Sequence, residues 1–170
     1  MLKKILCAVD LEDGSEGVVR YAADLCTRYP GCQLLLLYIA EIPLLTLAGG
    51  KGSLELPKED LEVMGRASDQ IRRLARDRLD DLITLLGCKA EIEIQEGPPA
   101  PRILSVAERD RVDMIVLGSH RKGPLQRIFL GSVSDKVAHQ SSCPVLIYKV
   151  REDPGAEGWS RRMPQSGGGL

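Results

Sequence analysis

Polar residues follow two apolar runs of this sequence, at points where β-strands are expected to end. Asp10 follows the run from Ile5 to Val9, and Gly118-Ser119-His120 follows the run from Met114 to Leu117. In a doubly wound parallel sheet, ligands bind beyond the carboxyl ends of the strands, where the strand order reverses. If these two strands are neighbours at that point, Asp10 and Gly118 face one crevice.

A third polar stretch, Gly131-Ser132-Val133-Ser134, opens the last predicted helix. A glycine at this place lets a ligand approach the backbone closely. The N–H groups and the positive dipole of a helix's first turn suit a phosphate. Three cations precede the stretch in the chain, at Arg121, Lys122 and Arg127. This part of the sequence therefore favours an anionic ligand.

Each of these signals also has an explanation that needs no ligand. Ser132 and Asp135 have the spacing of a capping box, which a helix can carry without binding anything. Asp10 is also a common turn former at a strand end, and the cations are compatible with a solvated loop. His120 has no partner evident from the sequence, so a loop role is favoured over catalysis. His139 comes late in the last helix, where a structural role or an interaction with the helix dipole is expected.

Five short apolar runs predict the strands that would position these residues. The third run alternates strictly between apolar and polar residues, as a half-exposed edge strand does. The fourth is apolar throughout and predicts a central strand covered on both faces. The fifth opens on a proline, which is tolerated at a strand's first position. The runs are Ile5–Val9, Leu34–Ala40, Ala90–Gln95, Met114–Leu117 and Pro144–Tyr148.

Helical patterns lie between the runs. The first has apolar residues spaced 4, 3 and 4 apart and could be capped by Ser15. The second is a long stripe that ends before Gly87, and two shorter helices follow it. This alternation predicts an α/β fold with a mostly parallel sheet and helices on both faces. The marker residues are Val18, Ala22, Leu25 and Tyr29; Leu61, Met64, Ser68, Ile71, Ala75, Leu79, Leu82 and Leu86; Ile103, Val106 and Ala107; and Val133, Val137 and Ala138.

Composition excludes several classes of protein. The 170 residues (18.6 kDa) suit one domain, and a net charge of −1 gives no overall field for nucleic acid or acidic membrane. Aromatic residues make up only 4%, which argues against a stacking platform for single strands or sugars. The five cysteines are scattered without a C-x-x-C pair, so neither a disulfide framework nor a zinc site is predicted; Cys7 and Cys143 are expected to be small buried hydrophobes. No apolar run is long enough for export or for a membrane span, and a reducing cytoplasm fits best.

Two segments fall outside the strand–helix pattern. Glu41 to Leu56 is predicted to be a mobile loop. Its Gly-Gly-Lys-Gly-Ser at positions 49–53 is not a Walker loop, because Lys51 is followed by Gly52 and not by Ser or Thr. Arg151 to Leu170 has no periodicity and is predicted to be a disordered tail, in which Trp159 is the one residue that could dock on another surface. The expected domain therefore covers residues 1–150.

Three sequence blocks together resemble the universal stress protein family. They are Lys-Lys-Ile-Leu-Cys-Ala-Val-Asp at 3–10, Asp-Met-Ile-Val-Leu-Gly-Ser-His at 113–120, and Leu-Gly-Ser-Val-Ser-Asp-Lys-Val at 130–137 followed by Cys-Pro-Val-Leu-Ile at 143–147. The resemblance spans Lys3 to about Lys149. It implies a Rossmann-like, five-stranded parallel sheet with the order 3-2-1-4-5. It also implies a homodimer joined along the fifth strand, near Val145 to Val150.

ATP-binding members of that family carry Gly-x2-Gly-x9-Gly-Ser/Thr around the phosphates. Here Gly118, Gly131 and Ser132 fill the first, third and fourth places, but Arg121 stands at the second, and Gly123 is out of register by two. An arginine adds a side chain where the loop closes on phosphate, although its guanidinium can also pair with phosphate oxygens. The resemblance implies the nucleotide-binding residues Ala8, Val9, Asp10, Ile39, Gly118, Ser119, Arg121, Gly131, Ser132, Val133 and Ser134, with Asp10 and Ile39 at the adenine and ribose end.

The expected function is a cytoplasmic, homodimeric universal stress protein that binds ATP or a related adenine nucleotide as a regulatory ligand in stress adaptation. Mg²⁺ bridging the phosphates is compatible with this, and no metal site made of side chains is predicted. The alternative is a partner-binding dimer of the same family, in which Arg121 has closed the nucleotide site. An enzyme, at most a slow ATPase or a relative doing adenylyl chemistry, is disfavoured because no nucleophile elbow and no paired acid and base is evident.

Overall fold

Five parallel strands form one sheet with the order 3-2-1-4-5 in this computed structural model, as predicted. The structure describes residues 1–12, 14–41, 58–119 and 131–149. Cys7, at the centre of the first strand, lies between Leu36 of the second and Val116 of the fourth. The strands are β1 (Lys4–Val9), β2 (Gln33–Ala40), β3 (Glu91–Glu96), β4 (Met114–Ser119) and β5 (Val145–Lys149).

Four helices in the described part of the chain cover the two faces of this sheet. They are α1 (Ser15–Thr27), α2 (Lys58–Leu86), α3 (Pro99–Arg109) and α4 (Ser132–Gln140). α1 and α2 pack on one face, around Cys7 and Leu36, and α3 and α4 pack on the other, around Leu6 and Leu37. Successive strand residues point to opposite faces, so each central strand contributes to both cores. The α/β expectation is confirmed.

The strand predictions hold with small shifts of their boundaries. β3 is an edge strand and β4 lies inside the sheet, as their residue patterns indicate. Pro144 lies just before β5, and its carbonyl accepts a hydrogen bond from the Ile115 N–H at 3.0 Å. α2 ends at Leu86, and Gly87 takes the left-handed conformation (φ 59°) that makes glycine a helix stop.

The prediction that Ser15 caps α1 is wrong. The N-cap is Gly14, whose φ of 100° is one that a residue with a Cβ rarely adopts, and among the described residues no side chain caps the helix. Ser15 is the first helical residue and is only 2% exposed. Its hydroxyl donates to Asp10 Oδ1 at 3.0 Å.

The long apolar stripe predicted for α2 is buried only in its C-terminal half. Ala75, Leu79 and Leu82 belong to the core, whereas Ile71 is 38% exposed. β2 and β3 cover the helix only where it runs along them, so an apolar residue beyond that contact remains in solvent. In α4, Val137 is buried and Ala138 is exposed, so that stripe is also narrower than predicted.

Cys7 is fully buried as predicted, and burial raises the pKa of its thiol to about 12. Cys143 is only half-buried, so the prediction holds for it in part. All five cysteines are free thiols. No helix in the described ranges is long and apolar enough to cross a membrane.

Ion pairs cover the polar side of the edge strand β3. Arg109, the last residue of α3, donates to both carboxylate oxygens of Glu93 (2.9 and 2.6 Å) and to Asp110 at 2.6 Å. Lys4 Nζ also reaches Asp110, at 2.9 Å. These donors lower the pKa of Glu93 and lower that of Asp110 to about 2, hydrogen bonding from Arg109 being the largest cause for each. The network joins β1, β3 and α3.

We expect Arg109→Ala to destabilise the protein by about 1 kcal/mol at pH 7, a modest effect because its side chain is 52% exposed. Folding lowers the pKa values of Glu93 and Asp110. The network therefore stabilises the fold fully at pH values above the ordinary pKa of a carboxyl group, and this stabilisation is lost as pH falls towards about 2. Urea unfolding of both proteins between pH 7 and pH 2 tests this. Arg20→Ala, which breaks an exposed pair within α1, is the control and should cost about 0.5 kcal/mol or less. A stability difference for Arg109→Ala that persists unchanged at pH 2 would contradict the assignment.

Candidate functional site

A cavity of about 430 Å³ lies at the carboxyl ends of the central strands. Its size is within the range of small-molecule sites. It opens where the strand order reverses between β1 and β4, the place at which doubly wound sheets bind ligands. The lining comes from three strand ends, the residues that follow β1 and β2, and three helices: Ala8, Val9, Asp10, Glu12, Val18, Tyr38, Ile39, Glu41, Pro99, Ile103, Leu117, Gly118, Val133 and Ser134.

The cavity brings together most of the residues that the sequence singled out. Ser119 is buried at the end of β4 without lining it, and Gly131 and Ser132 are exposed at the start of α4. Arg121 lies outside the described residues, as do His120, Lys122, Gly123, Arg127, Trp159, the glycine-rich segment at 49–53 and the tail. The predicted residues found in the lining are Ala8, Val9, Asp10, Ile39, Gly118, Val133 and Ser134.

Sequence reasoning included Ile39 of β2 but missed other lining residues, among them Tyr38 on the same strand and Val18 of α1. Tyr38 and Ile39 are consecutive on β2 and point to opposite faces, yet both line the cavity because it wraps around the end of the sheet. Glu41 follows the same strand. The rule that found Asp10 and Gly118, polar residues at strand ends, would have found Glu41 too.

Acidic groups border one end of the cavity. Asp10, Glu12 and Glu41 line it there, beside the Tyr38 phenol. Burial raises the pKa of Tyr38, Asp10 and Glu41 raise it further, and Arg78 opposes them. The phenol therefore keeps its proton at neutral pH. This end suits a ligand that offers hydrogen-bond donors, such as amino or hydroxyl groups.

The Asp10 carboxylate is held by its own loop. Its Oδ1 accepts hydrogen bonds from the Glu12 N–H and from the Ser15 hydroxyl, both at 3.0 Å. Two donors on one oxygen restrict the side chain at the mouth of the cavity. The turn-forming role that the sequence left open for Asp10 is present, and the same residue also lines the cavity.

The opposite end of the cavity is formed by the start of α4. The N-cap is Gly131 and no side chain from the described part of the chain caps the helix, so the capping box considered for Ser132 and Asp135 does not form. Ser134 is 6% exposed, and its hydroxyl donates to the Gly118 carbonyl at a long 3.4 Å. On the exposed side of the helix, Asp135 Oδ1 lies 3.6 Å from His139 Nδ1. The helix N–H groups and dipole make this end suited to an anion.

Apolar side chains line the cavity as well. They are Ile39, Ile103, Leu117 and Val133. The lining thus combines carboxylates, apolar side chains and the first turn of α4, which suits negative charge. No group of three or more His, Cys, Asp or Glu side chains within the described ranges could hold a metal ion.

The sequence of this chain matches the model of the universal stress protein family over residues 1–149. The chain belongs to that family. Universal stress protein MJ0531 of Methanocaldococcus jannaschii is 30% identical over 150 residues, which cover 88% of this chain and 83% of that protein. YxiE of Bacillus subtilis is 28% identical over 149 residues, which cover 88% of this chain and all of that protein.

Solved structures of universal stress proteins share this fold. The protein MJ0577 superposes with a TM-score of 0.70 and 26% identity, covering 89% of this chain and 98% of that one. UspA from Lactobacillus plantarum gives a TM-score of 0.63 at 22% identity, with 88% and 98% covered. A universal stress protein in complex with cAMP gives a TM-score of 0.60 at 18% identity, covering 88% of this chain and 98% of that one.

Proposed function

We propose that this universal stress protein binds ATP or a related adenine nucleotide in the cavity, as a regulatory ligand in stress adaptation. The observation that carries the proposal is the make-up of its lining, which combines carboxylates, apolar side chains and the N-terminal turn of α4. An adenine nucleotide has the matching parts, which are a hydrogen-bonding base and sugar, flat apolar ring faces, and phosphates.

The proposed pose matches each part of the ligand to a part of the lining. The base and ribose lie against Ala8, Val9 and Ile39, with Asp10 accepting their donors. The phosphates lie at the start of α4, where the backbone N–H groups from Gly131 to Val133 and the hydroxyls of Ser132 and Ser134 donate to them. Gly118 lets the phosphate chain approach the end of β4 closely, and the buried Ser119 contributes through its backbone.

Mg²⁺ fits this pose through the phosphates. Magnesium is usually held by substrate phosphates, waters and one or two carboxylates, and does not need a cage of protein ligands. Its contribution would be to neutralise phosphate charge. The chain's own part is to place the phosphates at the helix N-terminus.

A regulatory role is proposed over turnover because the sequence shows no nucleophile elbow and no paired acid and base. Asp10 is the residue to test for any slow ATPase activity. If ATP is hydrolysed and Asp10→Asn hydrolyses it at the same rate, Asp10 is not the centre of that reaction.

Denaturing the purified protein and analysing the released small molecules tests the proposal directly. We expect an adenine nucleotide in the supernatant, or a calorimetric titration signal with ATP. Since a universal stress protein with this fold is described in complex with cAMP, cAMP belongs in the titration, with GTP as the control for the base. If nothing is released and ATP at millimolar concentration gives no signal, the nucleotide proposal fails and the partner-binding alternative takes its place.

We also propose a homodimer joined along β5, near Val145 to Val150. β5 is an edge strand whose residues Val145 to Tyr148 are all half-buried, so its apolar side chains and outer backbone groups are open to pairing. Light scattering should give twice 18.6 kDa for the wild type. Ile147→Lys should give a monomer, while Ile71→Lys, at a partly exposed position of α2 that the sheet does not cover, should leave the mass unchanged. A monomeric wild type at micromolar concentration would contradict the dimer.

A further inference from the structure

Ser15 is a buried polar residue beside the cavity that the nucleotide pose does not use. It is 2% exposed at the first position of α1, and it does not line the cavity. Buried hydroxyl groups almost always have a hydrogen-bond partner. The partner here is Asp10 Oδ1, at 3.0 Å, and the hydroxyl does not cap its own helix.

Asp10 itself is exposed at the mouth of the cavity. An exposed carboxylate rotates freely between rotamers unless hydrogen bonds hold it, and ordering it later costs conformational entropy. The Glu12 N–H and the Ser15 hydroxyl reach the same oxygen, Oδ1, from the loop and from the helix. Together they fix how the carboxylate presents itself to the cavity.

The backbone between Asp10 and Ser15 is shaped for this contact. Leu11 and Gly14 both have positive φ, 60° and 100°, which fold the loop back on itself. The Ser15 N–H donates to the Glu12 carbonyl at 3.1 Å and closes the turn. The loop thus brings the buried Ser15 hydroxyl to the Asp10 side chain.

We propose that Ser15 is a positioning residue, which through its hydrogen bond holds the Asp10 carboxylate in the orientation that binds the nucleotide. This inference rests on the proposed function. Because Ser15 does not line the cavity, its effect on the ligand passes entirely through Asp10. That dependence separates positioning from a general contribution to the fold.

The test is a double-mutant cycle read by calorimetric titration with Mg-ATP. Ser15→Ala should raise the Kd about three- to tenfold, because the carboxylate loses the hydrogen bond from the Ser15 hydroxyl. In an Asp10→Ala background, adding Ser15→Ala should change the Kd by less than about twofold. Ser15→Thr keeps the hydroxyl and should bind ATP within about twofold of the wild type.

Ser141→Ala is the matched control, since Ser141 also hydrogen-bonds its own loop, at the Cys143 carbonyl (2.9 Å), but lies outside the cavity. It should leave the Kd unchanged. If Ser15→Ala does not fold, Ser15→Cys replaces it, and the weaker thiol donor should raise the Kd where threonine does not. The inference is overturned if Ser15→Ala binds like the wild type, or weakens binding equally with and without Asp10. A wild type that fails to bind ATP overturns the proposed function itself.

Discussion

Ala8→Phe should weaken ATP binding at least about tenfold, or about 1.4 kcal/mol, while the protein stays folded. Ala8 lies in the central strand β1, paired with Leu37 on one side and Leu117 on the other, so its backbone cannot move aside. It is half-buried and lines the cavity. A phenyl ring at this position therefore occupies space that the ligand needs. Calorimetric titration with Mg-ATP measures the loss.

The control for this substitution is Ala138→Phe. Ala138 is exposed on α4 and lies outside the cavity, so the same increase in side-chain size should leave the Kd unchanged. Circular dichroism and a melting curve establish that both variants fold. A folded Ala8→Phe protein that binds ATP as tightly as the wild type would place the nucleotide elsewhere.

Leu79→Ala should destabilise the protein by about 2–5 kcal/mol, which lowers Tm by roughly 5–15 °C. Leu79 is fully buried between α2 and the sheet, in the core that also contains Leu36. Removing its methyl groups loses their transfer free energy and leaves a cavity that rigid strands cannot close. Urea unfolding and differential scanning calorimetry both report the change.

Leu85→Ala is the matched substitution on the same helix. Leu85 is 56% exposed, so the same change of residue should alter stability by no more than about 0.5 kcal/mol. Helix propensity changes equally in the two variants, and the difference between them therefore measures burial alone. Equal losses of stability would mean that α2 packs with a different face towards the sheet.

The strand predictions illustrate what a local pattern can specify. The alternating run at β3 and the uninterrupted apolar run at β4 indicated an edge and an interior strand, and both have those places. A strand buried on one face alternates between apolar and polar residues, and a strand buried on both faces is apolar throughout. The position of a strand in the sheet can therefore be inferred from its own residues. The exact order of the strands came from the family resemblance.

For the helices, the local sequence pattern is not sufficient to predict which residues are buried. Ile71 and Leu79 belong to the same apolar stripe of α2, yet one is 38% exposed and the other is fully buried. Helical periodicity defines a face, but it does not define how far the sheet extends beneath that face. Similarly, Ser15 had the residue type of a helix cap, and only the fold of the loop after β1 directs its hydroxyl to Asp10.

The sequence by itself determined the alternation of strands and helices, the polar residues that follow β1 and β4, and the family to which they point. The tertiary structure alone decided that Tyr38 and Glu41 join Asp10 around one cavity, and that Ser15 holds the Asp10 carboxylate. The physical reason is distance along the chain. Periodicity and turn chemistry act over a few residues, whereas a cavity at the end of a parallel sheet is assembled from segments that the crossover helices separate by dozens of residues.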